Sequence, residues 1–258
     1  MSVQNQISRG VPLNGGDYRR LVKMVDVATQ LGAPDAILEV WPYGVYLFAA
    51  DDLVSPVWWF GSAFRWRSRR TKSYHALIAP PTAIMNALNR AGGHHIRVKF
   101  GKDRVRFLGP DGAVEVPGRV VPLRDGDAIP VSAHNHGSIF AIVQFDLEPL
   151  RSAVSDAGAH GILELHLVRS LGADPNWEAY VVNEGGERVP LQVKAVMEPE
   201  RDIVGRYRAA TLNAMLSLRT QKYLGLMFTG SPESPTLYAD WRELDIGVDV
   251  EFLMRPLS

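Results

Sequence analysis

Gly32-Ala33-Pro34-Asp35-Ala36-Ile37-Leu38-Glu39-Val40 is echoed by Gly158-Ala159-His160-Gly161-Ile162-Leu163-Glu164-Leu165, each directly after a predicted helix. A second pair, Ala83-Ile84-Met85-Asn86-Ala87-Leu88 and Ala210-Thr211-Leu212-Asn213-Ala214-Met215-Leu216, lies at nearly the same separation, roughly 126 residues or half the chain. One match could be chance. Two at one offset, with the same order of elements around them, imply a duplication. The chain reads as two like domains, 1–123 and 138–258, joined by residues 124–137, which lack periodicity and are rich in turn formers.

Working outward, each half is a strand, a helix, a group of antiparallel strands, a second helix and further strands. Helices are predicted over Gly15 to Gly32, Pro81 to Ala91, Asp146 to Ala157 and Ala209 to Ser217, with Asp17 as the first cap and Gly32 as its stop. Two helices cannot cover both faces of so much sheet, so both should lie on one face of each half, giving an α+β fold. In the first helix Tyr18, Leu21, Val22, Val25 and Ala28 share one stripe, and Arg19, Arg20 and Lys23 lie almost opposite. Strands are expected at Ala113 to Leu123, with a bulge or early end at Pro117, and at Val189 to Met197.

Composition narrows the function. With 28 basic and 28 acidic residues among 258, there is no global attraction to nucleic acid or membrane, so any such binding rests on local patches. Absence of cysteine removes disulfides and thiolate chemistry. The start of the chain has neither the basic nor the apolar part of a signal peptide. The longest apolar run, near Ile139 to Val143, is too short for a membrane span, so a soluble, cytoplasmic protein is expected. The basic run Arg65, Arg67, Arg69, Arg70 and Lys72, interleaved with Trp66 and Tyr74, reads either as a solvated hairpin tip or as a phosphate-contacting patch. The final stretch, Val250 to Ser258, is a strand followed by an apolar tail, an end that needs docking.

Gly44-Val45-Tyr46-Leu47 followed by Asp51, the strand and helix from His75 to Gly92, Leu212-Asn213, Leu237-Tyr238 and Phe252-Leu253-Met254-Arg255-Pro256, in this order and with the duplication, resemble the DNA sliding clamps. The likeness is to the two-domain type of proliferating cell nuclear antigen and phage clamps, and it runs over nearly the whole chain. It implies a homotrimeric ring of six like domains, with strands outside and helices lining a hole for duplex DNA. The implied role is that of a processivity factor in DNA replication, not an enzyme, tethering a DNA polymerase and other peptide-bearing proteins and placed on DNA by a clamp loader. No cofactor or metal is implied, and the place of action is the nucleoid or a replication site, a virus-encoded protein in a host cell included.

The resemblance assigns roles to residues. DNA contacts fall on Arg19, Arg20 and Lys23 of the first helix, Asn86, Asn89 and Arg90 of the second, Arg151 beside the third, and Arg206 and Arg208 before the fourth. The third helix departs from the pattern, with Glu148, Ser152, Ser155 and Asp156 opposite its stripe, while the fourth shows Ala210, Ala214 and Ser217. A partner-peptide pocket would draw on Ala50, Val57, Ile129, Val131, Pro235, Phe252, Met254 and Pro256, with Arg255 interrupting the usual tail spacing. Ring closure would pair the edge carrying Val114, Val116 and Val120 with the edge of the next chain carrying Leu191, Val193 and Ala195, hiding two apolar edges.

Two other readings remain: a clamp-fold scaffold acting as a monomer, and a metalloenzyme using His94, His95, His134 and His136. The second lacks a carboxylate at helical spacing, and adjacent histidines on a strand point to opposite faces. No phosphate-binding glycine loop or nucleophile elbow occurs.

Overall fold

The computed structural model describes residues 10–41, 44–52, 56–65, 75–93, 95–122, 138–170, 176–219 and 221–258, the side chain of Ala195 excepted. The chain divides into two compact units: Met1–Leu53, Phe60–Ile129 and Arg242–Val250 form unit 1, and Val54–Trp59, Pro130–Trp241 and Glu251–Ser258 form unit 2.

In unit 1, helix α1 (Gly15–Gln30) starts at Asn14, whose side-chain oxygen accepts from the backbone N–H groups of Gly16 at 2.8 Å and Asp17 at 2.9 Å. The cap is therefore Asn14 and not Asp17. Asp17 lies in the first turn, where its carboxylate suits the positive end of the helix, and it pairs with Arg20 at 3.0 Å. Asn14→Ala is expected to cost about 1 kcal/mol in urea unfolding, by orphaning two N–H groups. Gly32, at φ 70°, stops the helix as expected, because only glycine enters that conformation freely.

The buried side of α1 comprises Asp17, Leu21, Met24, Val25, Val27 and Ala28, wider than the expected stripe, and Tyr18 and Val22 are only half-buried. The reason is a second neighbour. Besides strands β1 (Val11–Leu13) and β3 (Gly44–Ala50), α1 packs on α2 (Pro81–Ala91), and the Tyr18 hydroxyl donates to the Leu88 carbonyl at 3.4 Å.

β1 heads an antiparallel sheet with β6 (Ile96–Phe100), β7 (Arg104–Gly109) and β8 (Gly112–Pro117), in the order β1-β6-β7-β8. Three residues centred on Pro12 carry no readable period, so the strand that the repeat expects ahead of the first helix could not be placed from sequence. A second run has the order β4-β3-β2-β5-β9, where β2 is Ala36–Trp41, β4 is Trp58–Arg65, β5 is His75–Ala79 and β9 is Arg119–Pro122. β8 ends at Pro117, as expected there, and the rest of the stretch expected as one strand to Leu123 is a second strand, β9, in a different sheet. They part at Gly118, where an added Cβ would lie 2.5 Å from the Ile78 carbonyl, so glycine lets the chain cross close to β5.

Unit 2 repeats the plan. β10 (Ile139–Asp146) leads into α3 (Leu147–Ala157), capped by Asp146, which accepts from Glu148 N–H at 3.1 Å and pairs with Lys222 at 3.1 Å. β11 (Ile162–Arg169), β12 (Trp177–Val182), β13 (Arg188–Leu191) and β15 (Ile203–Arg208) form a sheet in the order β13-β12-β11-β15, and α4 (Ala209–Ser217) follows β15 directly. A further run holds β14 (Val193–Met197), β10, β16 (Tyr223–Ser231) and β17 (Ser234–Glu243) in the order β14-β10-β16-β17. Here too an expected single strand, Val189 to Met197, is split between two sheets. β18 (Val248–Met254) follows β17 and lies beside it. The fold is α+β and duplicated: β1-β6-β7-β8 in the first half matches β10-β16-β17-β18 in the second, and β4-β3-β2-β5 matches β13-β12-β11-β15.

The echoed Ile-Leu-Glu carries the same device twice. On β2 the Trp41 indole donates to Glu39 at 2.8 Å, and on β11 His166 lies 2.5 Å from Glu164, each pair two residues apart on one face. Glu39 is buried, and burial holds its carboxyl above the usual range against the opposing effect of the Trp41 bond. A carboxyl raised by folding binds its proton more tightly in the folded than in the unfolded state. Stability therefore falls as pH rises from about 4.5 through the folded pKa. Glu39→Gln keeps an acceptor for Trp41 and removes this slope, so thermal unfolding of the variant should gain on the native chain as pH rises and match it in acid.

Candidate nucleic-acid interface

The exposed sides of the helices differ between the units. On α1, Arg19 is exposed and Lys23 half-exposed, and among the described residues neither makes a hydrogen bond or ion pair. On α2, Asn86, Asn89 and Arg90 are exposed together, Arg90 in the last turn, where a cation suits the helix end. On α3 the exposed residues are Glu148, Ser152, Ser155 and Asp156, as expected. On α4 the exposed residue is Asn213, and Ala214, expected outside, is buried.

Two of the arginines assigned to DNA, Arg20 and Arg151, are engaged with groups of their own unit. Arg20 is held by three contacts: Nη1 pairs with Asp17 at 3.0 Å, Nε donates to the Ile246 carbonyl at 2.5 Å, and the guanidinium lies 5.8 Å from the Phe64 ring centre. Gly247, at φ 63°, makes room for it in the turn between β17 and β18, since an added Cβ would lie 3.2 Å from Arg20 Nη2. Arg151 donates to the Arg219 carbonyl and lies 3.8 Å from Glu148. Arg206 projects from the exposed face of β15, where Ile203, Gly205 and Tyr207 take the buried face; Arg208, on the same exposed face, adjoins the start of α4.

Arg20 also borders a polar cleft of about 560 Å³ lined by Asn14, Gly16, Asp17, Arg65, Arg242, Gly247 and Asp249. Sequence reasoning does not foresee it, because its walls come from the start of α1, the end of β4 and the β17–β18 turn. Of the basic run, Arg65 is exposed, and Arg67, Arg69, Arg70 and Lys72 lie outside the described residues.

For the peptide pocket, Ala50 is buried in unit 1, and Ile129 and Val131 lie outside the described residues. In unit 2 Phe252 and Met254 are 1% and 3% exposed, Pro235 is buried, and Val57 and Pro256 are half-exposed. Phe252 stacks on Trp241 at 6.3 Å, nearly parallel. The tail is docked by backbone bonds, Arg255 N–H to Val57 O at 2.6 Å and Leu257 N–H to Arg206 O at 2.8 Å. Beneath it, the Tyr207 hydroxyl donates to the Pro235 carbonyl at 2.6 Å, and burial pushes that phenol's pKa up. The need for docking is met within unit 2, by core side chains and a backbone clamp.

Of the residues assigned to ring closure, Val114 and Val116 are on β8, Leu191 on β13, Val120 on β9, and Val193 and Ala195 on β14. Val120 is paired within its own chain, opposite Leu77, and Val193 and Ala195 face Phe145 and Val143. Of the four histidines weighed for a metal, His95 is exposed and the others lie outside the described residues. Among the described residues no three of His, Cys, Asp and Glu come together to hold a metal, and no helix is long and apolar enough to cross a membrane.

Duplicated units, each with a helix pair against antiparallel strands, define the fold of the DNA sliding clamps, and solved structures agree. The chain is similar to the DNA polymerase III β subunit of Pseudomonas aeruginosa, at 14% identity and a TM-score of 0.61, over 96% of this chain and 66% of that one. It is similar to the DNA polymerase sliding clamp of Caulobacter crescentus at 13% identity and a TM-score of 0.64, over 96% and 65%. For the sliding clamp of Bacillus subtilis the values are 10% and 0.60, over 96% and 64%. The chain spans just under two thirds of the length of these clamps. No protein-family model matches the sequence, and no curated protein does.

Proposed function

We propose that this chain is a DNA sliding clamp: a non-catalytic, ring-forming processivity factor that surrounds duplex DNA and tethers a polymerase. It needs no cofactor or metal. The observation that carries this is a clamp fold whose α1 and α2 present Arg19, Lys23, Asn86, Asn89 and Arg90 to solvent. Sliding requires phosphate attraction and polar contacts without base readout, and this set offers both. Arg208, exposed before α4, is the second unit's contribution, and the acidic side of α3 makes the DNA face more basic in the first unit. Two like domains, 1–123 and 138–258, give a ring of six domains from three copies. Partner peptides dock against Val57 and Pro256 of unit 2, and a loader places the ring at replication sites in the cytoplasm.

Light scattering at micromolar concentration tests the ring. Three times the chain mass of 28.5 kDa is the expected result. A monomer at every accessible concentration would leave only the clamp-fold scaffold.

A further inference from the structure

The sheet β1-β6-β7-β8 of unit 1 packs against α2 with one face, where Val98, Val105, Phe107 and Val116 are buried. Its other face is strongly basic. Alternation puts Arg97 and Lys99 of β6, and Arg104 and Arg106 of β7, on the solvent side, two residues apart on each strand. These charges lie across the sheet from α2 and its Arg90, so they do not belong to the helix side assigned to DNA.

The two strands treat their cations differently. On β7 the pair is bridged by one carboxylate, that of Glu115 on β8: Oε2 accepts from Arg104 Nη1 at 3.0 Å and Oε1 from Arg106 Nε at 2.5 Å. Those bonds, that of Arg104 first, hold the Glu115 carboxyl below its usual range. Arg104 also pairs with Asp103 at 2.9 Å. On β6 the neighbouring strand brings no carboxylate, since Pro12 of β1 stands opposite Arg97 and Gly10 adjoins Lys99. Lys99 also stands directly opposite Arg106, and like charges so placed cost a sheet stability. Among the described residues Lys99 makes no hydrogen bond or ion pair.

We propose that Arg97, Lys99 and Arg106 form a docking surface for an acidic, extended segment of a partner protein. One carboxylate of the segment bridges Arg97 and Lys99 as Glu115 bridges Arg104 and Arg106. Glutamates at alternate positions of an extended segment repeat every two residues, at about 3.3 Å per residue, and so stay in step with the cations of the strand beneath. The mixed sign of the face selects a protein segment over a nucleic acid. A phosphate backbone is negative throughout and has to pass Glu115 and Asp103, whereas a peptide sets neutral side chains over them. The described residues of this face include no aromatic side chain, so no base finds a stacking platform there. Attraction of this kind, without an apolar anchor, is weak and falls with salt.

The probe is a short labelled peptide of alternating glutamate and threonine, titrated with the full chain at low salt and followed by fluorescence anisotropy. Lys99→Glu is the informative variant. It turns the like-charge pair with Arg106 into an opposite-charge pair, so its denaturant midpoint should equal or exceed that of the native chain. Its peptide affinity should fall roughly tenfold or more, because a bridging cation is lost and Arg106 is occupied. The chain carrying Arg19→Glu and Lys23→Glu should bind the peptide as the native chain does, and Lys99→Glu should bind a short labelled duplex unchanged. No peptide binding by the native chain, equal binding by Lys99→Glu, or an equal loss in the Arg19 and Lys23 variant would overturn the proposal. So would a matching loss of duplex affinity in Lys99→Glu, which would give the face to the phosphate backbone. The ring stands or falls separately, by its mass in solution.

Discussion

Replacing Arg19 and Lys23 together by glutamate is expected to lower affinity for a short labelled duplex at least tenfold at low salt. Each cation that meets a phosphate releases counterions, so losing two contacts should also reduce the slope of log K against log salt by about 1.8. Fluorescence anisotropy over a salt series reads both quantities. Neither side chain has a protein partner among the described residues, so stability should stay within about 0.5 kcal/mol of the native chain. Arg20 is the wrong residue for this experiment. Its guanidinium ties Asp17 to the Ile246 carbonyl over Phe64, and reversing it would damage unit 1 before DNA entered the question. Unchanged affinity and slope in the double variant would place the DNA contact off α1.

Phe252→Ala is expected to cost about 3–5 kcal/mol, the range for emptying a fully buried aromatic site. Phe252 is 1% exposed and stacked on Trp241, so the lost contacts lie in the core of unit 2. Denaturant midpoints of the two chains measure it, and a loss below about 1 kcal/mol would contradict the packing. The same burial changes how the tail should be probed. Deletion from Met254 onward removes a core side chain together with the Arg255–Val57 and Leu257–Arg206 bonds, so fold and partner binding would fall together. Pro256→Ala, at a half-exposed position, separates them: peptide binding weakens while the midpoint holds.

What the sequence makes legible is what repeats or has a period. The Gly32 and Gly158 echo, and the second echo in the later helix of each half, expose the duplication. Three helices lie within a residue of their expected bounds, because proline at α2, aspartate before α3 and the apolar pattern of α4 mark them. Sheet membership is another matter. Val114 and Val120 look alike in sequence, yet a glycine crossing puts them on different sheets, and alternation reports a face without naming the sheet. Unit boundaries suffer in the same way: residues 54–59 and 242–250 join units far from their neighbours in sequence, through pairing that local pattern does not encode. At the site, the helix stripe separates Arg19 and Lys23 from the core correctly. It cannot tell that Arg20 would meet a turn more than two hundred residues away.

Topological linkage to DNA is tested by one comparison. The protein is assembled on a nicked circular plasmid, the salt is raised to remove phosphate contacts, and retention is followed by gel filtration before and after the plasmid is cut once. A linked ring is expected to stay with the circle and to be lost from the linear form, by sliding off its ends. Equal retention on both, or equal loss from both, would contradict it.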